Sequence, residues 1–455
     1  MDDRRRVLGA AHDLAISFLD SLDGRPVWPR AGYEQMCQAL GGPLPAAPSD
    51  PVEVLAELAR RADPGLAGIP GGRFFGFVIG GELPAALGAD WLTGVWDQNT
   101  GLNSLTPAAA AAESVAGQWV VEALGLPAGT TAGFVTGAMM ANFTCLSAAR
   151  HAVLARQGWD VNRRGLGGAP PVRVAVGRDR HDTIDLAVRY LGLGQQAVVE
   201  VDSDEQGRLR PESLAAALDH GSGPVIVCLQ AGEVHTGAFD PFDEAIEVAR
   251  RHGAWVHVDG AFGLWAAASP RFGHLTSGLA EADSWATDAH KTLSVPYDCG
   301  LALVREEAAL VASFGVEADY LIGGTGDPME RVPELSRRAR GFPVWAALRS
   351  LGTEGLAALV EQLCDRAARM AKGLARIPGV EVVNDVAFTQ VLAAFGDDAR
   401  TVEAGRRLLA DGTAAFTPAS WRGRAVQRCS VSSWATTPDD VDRTLEAVRR
   451  VAEAL

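Results

Sequence analysis

Among 41 basic residues only two are lysines, Lys291 and Lys372; the other 39 are arginines. A primary amine can condense with an aldehyde, whereas a guanidinium forms no imine and stays protonated at working pH. Lys372 sits in the Arg-rich helical stretch CDRAARMAKGLARI and reads as a solvated charge. Lys291 follows a short strand-like run in ADSWATDAHKTLSVPYDCG. Its mostly uncharged, partly apolar surroundings favour the neutral, nucleophilic amine. Asp259 closes a second apolar run, WVHVDGAFG, 32 positions before Lys291. Open α/β sheets place ligands at the carboxyl ends of their strands, and a carboxylate there needs a cationic partner to offset desolvation. A protonated pyridine nitrogen would be one; a plain cap on the next turn is the alternative.

Two further stretches fit the same chemistry. In GFVTGAMMANFTCLSAAR a Thr–Gly–Ala turn leads into a helix beginning near Ala138. Free backbone N–H groups at a helix start bind phosphate without charged side chains, although such turns are common. In GRDRHDTIDLAVRYLG, His181 precedes a helix expected to be capped by Asp182 or Thr183. Its imidazole could stack on a flat ring or simply end a loop.

These residues need a sheet to hold them. The runs VRVAVG (172–177), QAVVEVD (196–202), PVIVCLQ (224–230) and AWVHVD (254–259) alternate with helical stretches. That alternation is expected of an α/β sheet covered on both faces. Residues 1–75 read as a helical arm with Pro-rich turns, 76–335 as the large domain, and 336–455 as a smaller α+β domain. The smaller domain is entered by a long helix at roughly 343–375 and closed by one at 438–454.

Composition narrows the partners. A net charge of −15 provides no basic footprint for nucleic acid or an anionic membrane. No apolar stretch reaches the roughly 18 residues of a membrane span. The N-terminus lacks the pattern of a signal peptide, and six scattered cysteines without a CxxC pair suit a reducing compartment without a zinc site. A cytoplasmic location is expected.

The order phosphate turn, His, strand-end Asp and His–Lys resembles the fold-type I pyridoxal-phosphate group II decarboxylases, which include aromatic amino acid and glutamate decarboxylases. The likeness extends over RFFGFVIGGELPA, AGEVHTGAFDP, HVDGAFG, DAHKTLSVPYDCG, SRRARGFPVW and SVSSWATTPDDVD. It implies the aspartate aminotransferase-like fold, with a mainly parallel central sheet, an N-terminal helical segment and a small C-terminal α+β domain. It also implies pyridoxal 5′-phosphate, an L-amino acid substrate, loss of CO2, and a homodimer with its active site at the subunit interface.

Residue by residue, the resemblance makes Lys291 the Schiff-base lysine and pairs Asp259 with the pyridine nitrogen. His181 and Ala261 take the two ring faces, and Ala138 and Met139 offer backbone N–H groups to the phosphate. His290 adjoins the cofactor. Phe77 to Gly80 would receive the substrate carboxylate, and Asn99 to Gly101 would lie where a neighbouring subunit completes the pocket. Arg338, with Arg337 and Arg340, is available to an acidic substrate, though an Arg-rich stretch is more often structural.

The chain departs from the family pattern in several places. Gly232–Glu233–Val234 replaces Gly–Thr–Thr, Thr292 follows the His–Lys pair, and Pro296 stands where many members have Asn. The segment between Tyr320 and Arg337, LIGGTGDPMERVPELS, lacks the loop tyrosine that protonates the product in the family. This motivates an alternative in which the same cofactor drives decarboxylative oxidative deamination to an aldehyde, an aldol-type cleavage or a β/γ-substitution. A non-catalytic relative of the fold is the third reading.

Overall fold

The apolar runs form strands where their β-branched content directs. A computed structural model describes residues 2–315 and 326–455. In chain order the strands are β1 (Thr131–Val135), β2 (Arg173–Gly177), β3 (Val198–Val201), β4 (Val225–Gln230), β5 (Trp255–Asp259), β6 (Ser284–Asp288) and β7 (Gly300–Val304). They make one seven-stranded sheet in the order β1-β7-β6-β5-β4-β2-β3. β7 runs antiparallel to β1 and β6, while the β6-β5-β4-β2-β3 ladder is parallel. β4 to β7 are buried at every residue, as strands covered on both faces must be.

The chain divides into two compact units. The larger comprises Gly80–Ala368 and Asn384–Val391 and carries this sheet. The helix Ala138–Ala155 follows β1 and buries Ala141, Cys145, Leu146, Ala148 and Ala149 in a shared core with Val174, Val176, Ile226 and Ala286. Small residues along that helix let it lie close to the sheet.

The smaller unit comprises Met1–Ile79, Arg369–Val383 and Leu392–Leu455. Its N-terminal helices are Asp2–Ser21, Tyr33–Leu40 and Pro51–Ala62. Arg73, only 5% exposed, ties this segment to the C-terminal helix Pro438–Glu453, meeting Asp23 at 3.1 Å and Asp440 at 3.2 Å. The chain's second sheet holds β8 (Glu381–Val382), β9 (Gln390–Ala394), β10 (Thr417–Trp421) and β11 (Arg424–Ser430), in the order β10-β11-β9-β8. β10 and β11 form a hairpin whose two turn residues, Arg422 and Gly423, both have positive φ, as a two-residue turn matched to strand twist requires.

One expected element differs. The single long helix at 343–375 is instead Gly341–Leu374 broken at Gly352, whose φ of 62° and ψ of −174° are not helical. Glycine takes that conformation without a Cβ penalty, and the flanking apolar periodicity conceals the break. No helix among the described residues is long and apolar enough to cross a membrane.

Candidate active site

β1, β4, β5 and β6 point their carboxyl ends to one edge of the sheet, because β7 alone runs the other way. Asp259 ends β5 and Asp288 ends β6, while the turn after β1 starts the helix at Ala138. Gly300 pairs with both Asp288 and Val135. A Cβ there would lie 2.4 Å from the carbonyl carbon of Gly137, so only glycine lets the turn after β1 close down on the start of β7.

Asp259 is 6% exposed and both its oxygens accept hydrogen bonds. Oδ2 accepts from Asn142 Nδ2 at 2.9 Å and Oδ1 from the Ala261 N–H at 3.1 Å. Asn142 in turn meets His257 Nε2 at 2.9 Å, and His257 Nδ1 meets Ser284 Oγ at 3.0 Å. Burial pushes the His257 imidazole down to about 3, so it is neutral at physiological pH.

Lys291 Nζ lies 2.8 Å from Asp288 Oδ2. Asp288 is 2% exposed, and its Oδ1 accepts the Ala138 N–H at 2.6 Å. One buried carboxylate thus connects the amine to the helix start. His290 Nε2 is 3.5 Å from the same oxygen, its Nδ1 accepts the Cys299 N–H at 3.1 Å, and its ring stacks on Tyr297 at 4.2 Å. Because Nδ1 accepts, Nε2 carries the hydrogen. Burial lowers the His290 pKa.

Gly80 lies against the backbone of Lys291: a Cβ at position 80 would sit 1.8 Å from the Lys291 carbonyl oxygen. Ser294 Oγ donates to Gly80 O at 2.8 Å and holds the two segments in register. The Gly80→Ala variant must therefore push the lysine segment away. Thermal denaturation should show a loss of about 1–3 kcal/mol, accompanied by weaker cofactor uptake. Unchanged uptake with unchanged stability would contradict the close approach.

His181 itself caps the helix Asp182–Tyr190, its Nδ1 accepting the Thr183 N–H at 3.2 Å. This corrects the expectation of an Asp182 or Thr183 cap; an imidazole nitrogen one position earlier reaches the same orphan donor. Thr183 Oγ1 lies 3.0 Å from His181 Nδ1 and 3.4 Å from Asn142 Nδ2, linking His181 to the Asp259 network. Ala261 accepts the Asp288 N–H at 2.9 Å, bringing the ends of β5 and β6 together. Met139 is partly buried at the second helical position.

The remaining candidates already have partners. Phe77, 52% exposed with φ of 55°, belongs to the smaller unit, where its N–H donates to Thr417. Asn99 accepts the Arg337 N–H at 3.1 Å and donates to Ser336 at 3.3 Å. Arg338 pairs with Asp90 at 2.7 Å, Arg337 with buried Glu113 at 2.6 Å, and Arg340 with Asp298 at 3.0 Å. Each of these guanidinium groups already has a carboxylate partner, in accord with the structural reading of that stretch. Of the loop segment without a tyrosine, residues 321–325 lie outside the described residues. The described part forms the turn Pro328–Arg331, with Asp327 accepting the Asn103 N–H at 2.7 Å.

Asn142, His257, Ser284, Asp288 and Tyr297 were not singled out from the sequence. A signal existed: residues i and i+2 of a strand share a face, so His257 and Asp259 point the same way. Asn142 lies one helical turn after Ala138.

Over the full chain the fold matches crystal structures of Oryza sativa TDC with PLP and tryptamine (TM-score 0.93, 24% identity, 100% of this chain and 98% of that one). It also matches mouse CSAD (TM-score 0.90, 24% identity, 100% and 99%). The architecture is therefore that of a fold-type I pyridoxal-phosphate enzyme. Residues 35–395 match the model of the pyridoxal-dependent decarboxylase conserved domain, and the chain belongs to that family. It is similar to acidic amino acid decarboxylase of Mus musculus, 29% identical over 269 residues, covering 57% of this chain and 48% of that protein. It is also similar to cysteine sulfinic acid decarboxylase of Rattus norvegicus (30% over 243 residues, 51% and 49%) and tryptophan decarboxylase 1 of Oryza sativa subsp. japonica (30% over 381 residues, 78% and 73%). The match thus spans about half the length of the first two relatives.

The cofactor is pyridoxal 5′-phosphate, and the donor set fits it. An amine, a buried carboxylate and a helix start share one sheet edge, the groups that its aldehyde, ring nitrogen and phosphate would need.

Proposed function

We propose that this protein removes the α-carboxyl group of an L-amino acid as CO2, leaving an amine. The observation that carries the proposal is the scarce amine of Lys291, 2.8 Å from Asp288, on the sheet edge where β5 ends in Asp259. Pyridoxal phosphate, when bound, supplies an electron sink for the charge left at Cα.

The chain's own residues prepare that site. Lys291 must shed a proton to attack an aldehyde, and Asp288 Oδ2 is the adjacent acceptor. Asp259 faces the ring nitrogen and favours its protonated form. His181 and Ala261 take the two faces of the ring. Met139 offers its backbone N–H to the phosphate, and Ala138, whose N–H donates to Asp288, adjoins it. His290 supports the Asp288 side of the site, and Gly80, packed against the Lys291 backbone, is a substrate-carboxylate candidate by resemblance. Phe77, Asn99 and Arg338 remain substrate-side candidates by resemblance. The large cofactor-binding domain is taken as 76–335, flanked by a helical arm at 1–75 and a small domain at 336–455.

A homodimer belongs to the same reading. The helix Pro84–Trp96 exposes Trp91, Leu92, Val95 and Trp96, between 41% and 56% each, and an apolar face of this kind calls for a partner surface. Six free cysteines, five of them buried, suit a cytoplasmic location.

Incubating the protein with a panel of L-amino acids and identifying products by mass tests the reading. CO2 with the matching amine supports it. An aldehyde with ammonia and oxygen consumption would replace it with the diverted reaction that the tyrosine-free loop text favours.

A further inference from the structure

We propose that Asn142 and His257 are positioning residues: a buried hydrogen-bond chain from Trp255 to Asp259 holds that carboxylate aimed at the cofactor's ring nitrogen. The proposal rests on the reading of Asp259 as the ring-nitrogen partner.

The direction of every link is fixed from both ends, by an indole that can only donate and by the Asp259 oxygen that accepts from Asn142. Trp255 Nε1–H can only donate, so Ser284 Oγ accepts from it, at 2.9 Å. The Ser284 hydroxyl hydrogen is then available to His257 Nδ1, 3.0 Å away. Nδ1 therefore carries no hydrogen, and the neutral ring has its hydrogen on Nε2. Nε2–H donates to Asn142 Oδ1 at 2.9 Å, which turns the Asn142 amide nitrogen towards Asp259 Oδ2, also at 2.9 Å. The chain ends on an acceptor. Trp255, His257, Ser284 and Asn142 are each 1% exposed or less, so water does not compete for these bonds.

The sheet register builds this chain. Trp255, His257 and Asp259 alternate onto one face of β5, and Ser284 of β6 stands directly opposite His257. Asp259 Oδ1 accepts the Ala261 N–H as well. With both oxygens held, the carboxylate keeps one orientation and still has lone pairs for a ring N–H⁺. If Asn142 lost its donor, Asp259 would lose its orientation.

The test uses the holoenzyme, stripped and refilled either with pyridoxal phosphate or with its carbocyclic analogue, in which C–H replaces the ring nitrogen. Dissociation constants come from fluorescence titration of wild type, Asn142→Asp and Ser284→Ala. Asn142→Asp places a second carboxylate against Asp259, so the two must share a proton. Its affinity for pyridoxal phosphate should fall about tenfold or more, while its affinity for the analogue changes less than about twofold. Ser284→Ala should show the same selectivity at about threefold, and it keeps the test open if Asn142→Asp folds poorly. Equal weakening towards both cofactors, or no weakening, overturns the proposal. A wild-type protein that takes up no pyridoxal phosphate sinks the functional reading itself, which is a different result.

Discussion

The Lys291→Arg variant should bind pyridoxal phosphate without fixing it. The guanidinium retains positive charge beside Asp288, 2.8 Å from the native amine, so the ion pair and local packing survive. It cannot form the covalent bond to the aldehyde. Borohydride treatment of wild type should leave a cofactor-sized mass increment on the peptide containing Lys291. The variant should show none, and its turnover should fall by at least about a thousandfold. Its melting temperature should stay close to wild type. Lys372, the chain's other lysine, is the internal control: Lys372→Arg should leave labelling and turnover unchanged. Label on Lys372, or undiminished turnover in Lys291→Arg, would remove the basis for the mechanism.

The second large effect is expected at Asp259. Replacing it with Ala removes the buried anion and leaves Asn142 Nδ2 without its 2.9 Å acceptor. Loss of charge beside the ring nitrogen should lower kcat by about a hundred- to a thousandfold. The unpaired amide should cost about 1–3 kcal/mol in stability. Asp259→Asn separates the two contributions, because an amide preserves size and hydrogen bonding but not charge. Its stability should therefore lie near wild type while kcat remains low. If Asp259→Asn were nearly as active as wild type, the carboxylate would be only a turn cap, as its bond to the Ala261 N–H at 3.1 Å also permits.

Much of the sheet was legible because buried parallel strands leave a plain record. The runs at 172–177, 196–202, 224–230 and 254–259 became β2 to β5 with shifts of no more than two residues at any end. Lys291 was legible through scarcity, and Asp259 through its place at the end of an apolar run. The break at Gly352 was not, because glycine is common and only the backbone angles reveal which one takes a left-handed φ. The capping role of His181 escaped for a related reason: imidazole is an uncommon cap, and the nearby Asp182 is the usual choice by type.

The functional partners of these residues depend on contacts between distant parts of the chain. Asn142 is separated from Asp259 by 117 positions, and Ala138 from Asp288 by 150. Nothing local in either segment specifies the meeting. The arginines show the same limit: the sequence favoured a structural role for three neighbouring guanidinium groups without naming their partners, and Asp90, Glu113 and Asp298 each engage one. By itself, then, the sequence determined the strands, the candidate amine and the family pattern, because these depend on residue type and short-range periodicity. Only the tertiary structure decided which carboxylate meets the amine, which amide steadies Asp259 and which arginines are already neutralised. Such pairings arise from the order and register in which strands assemble.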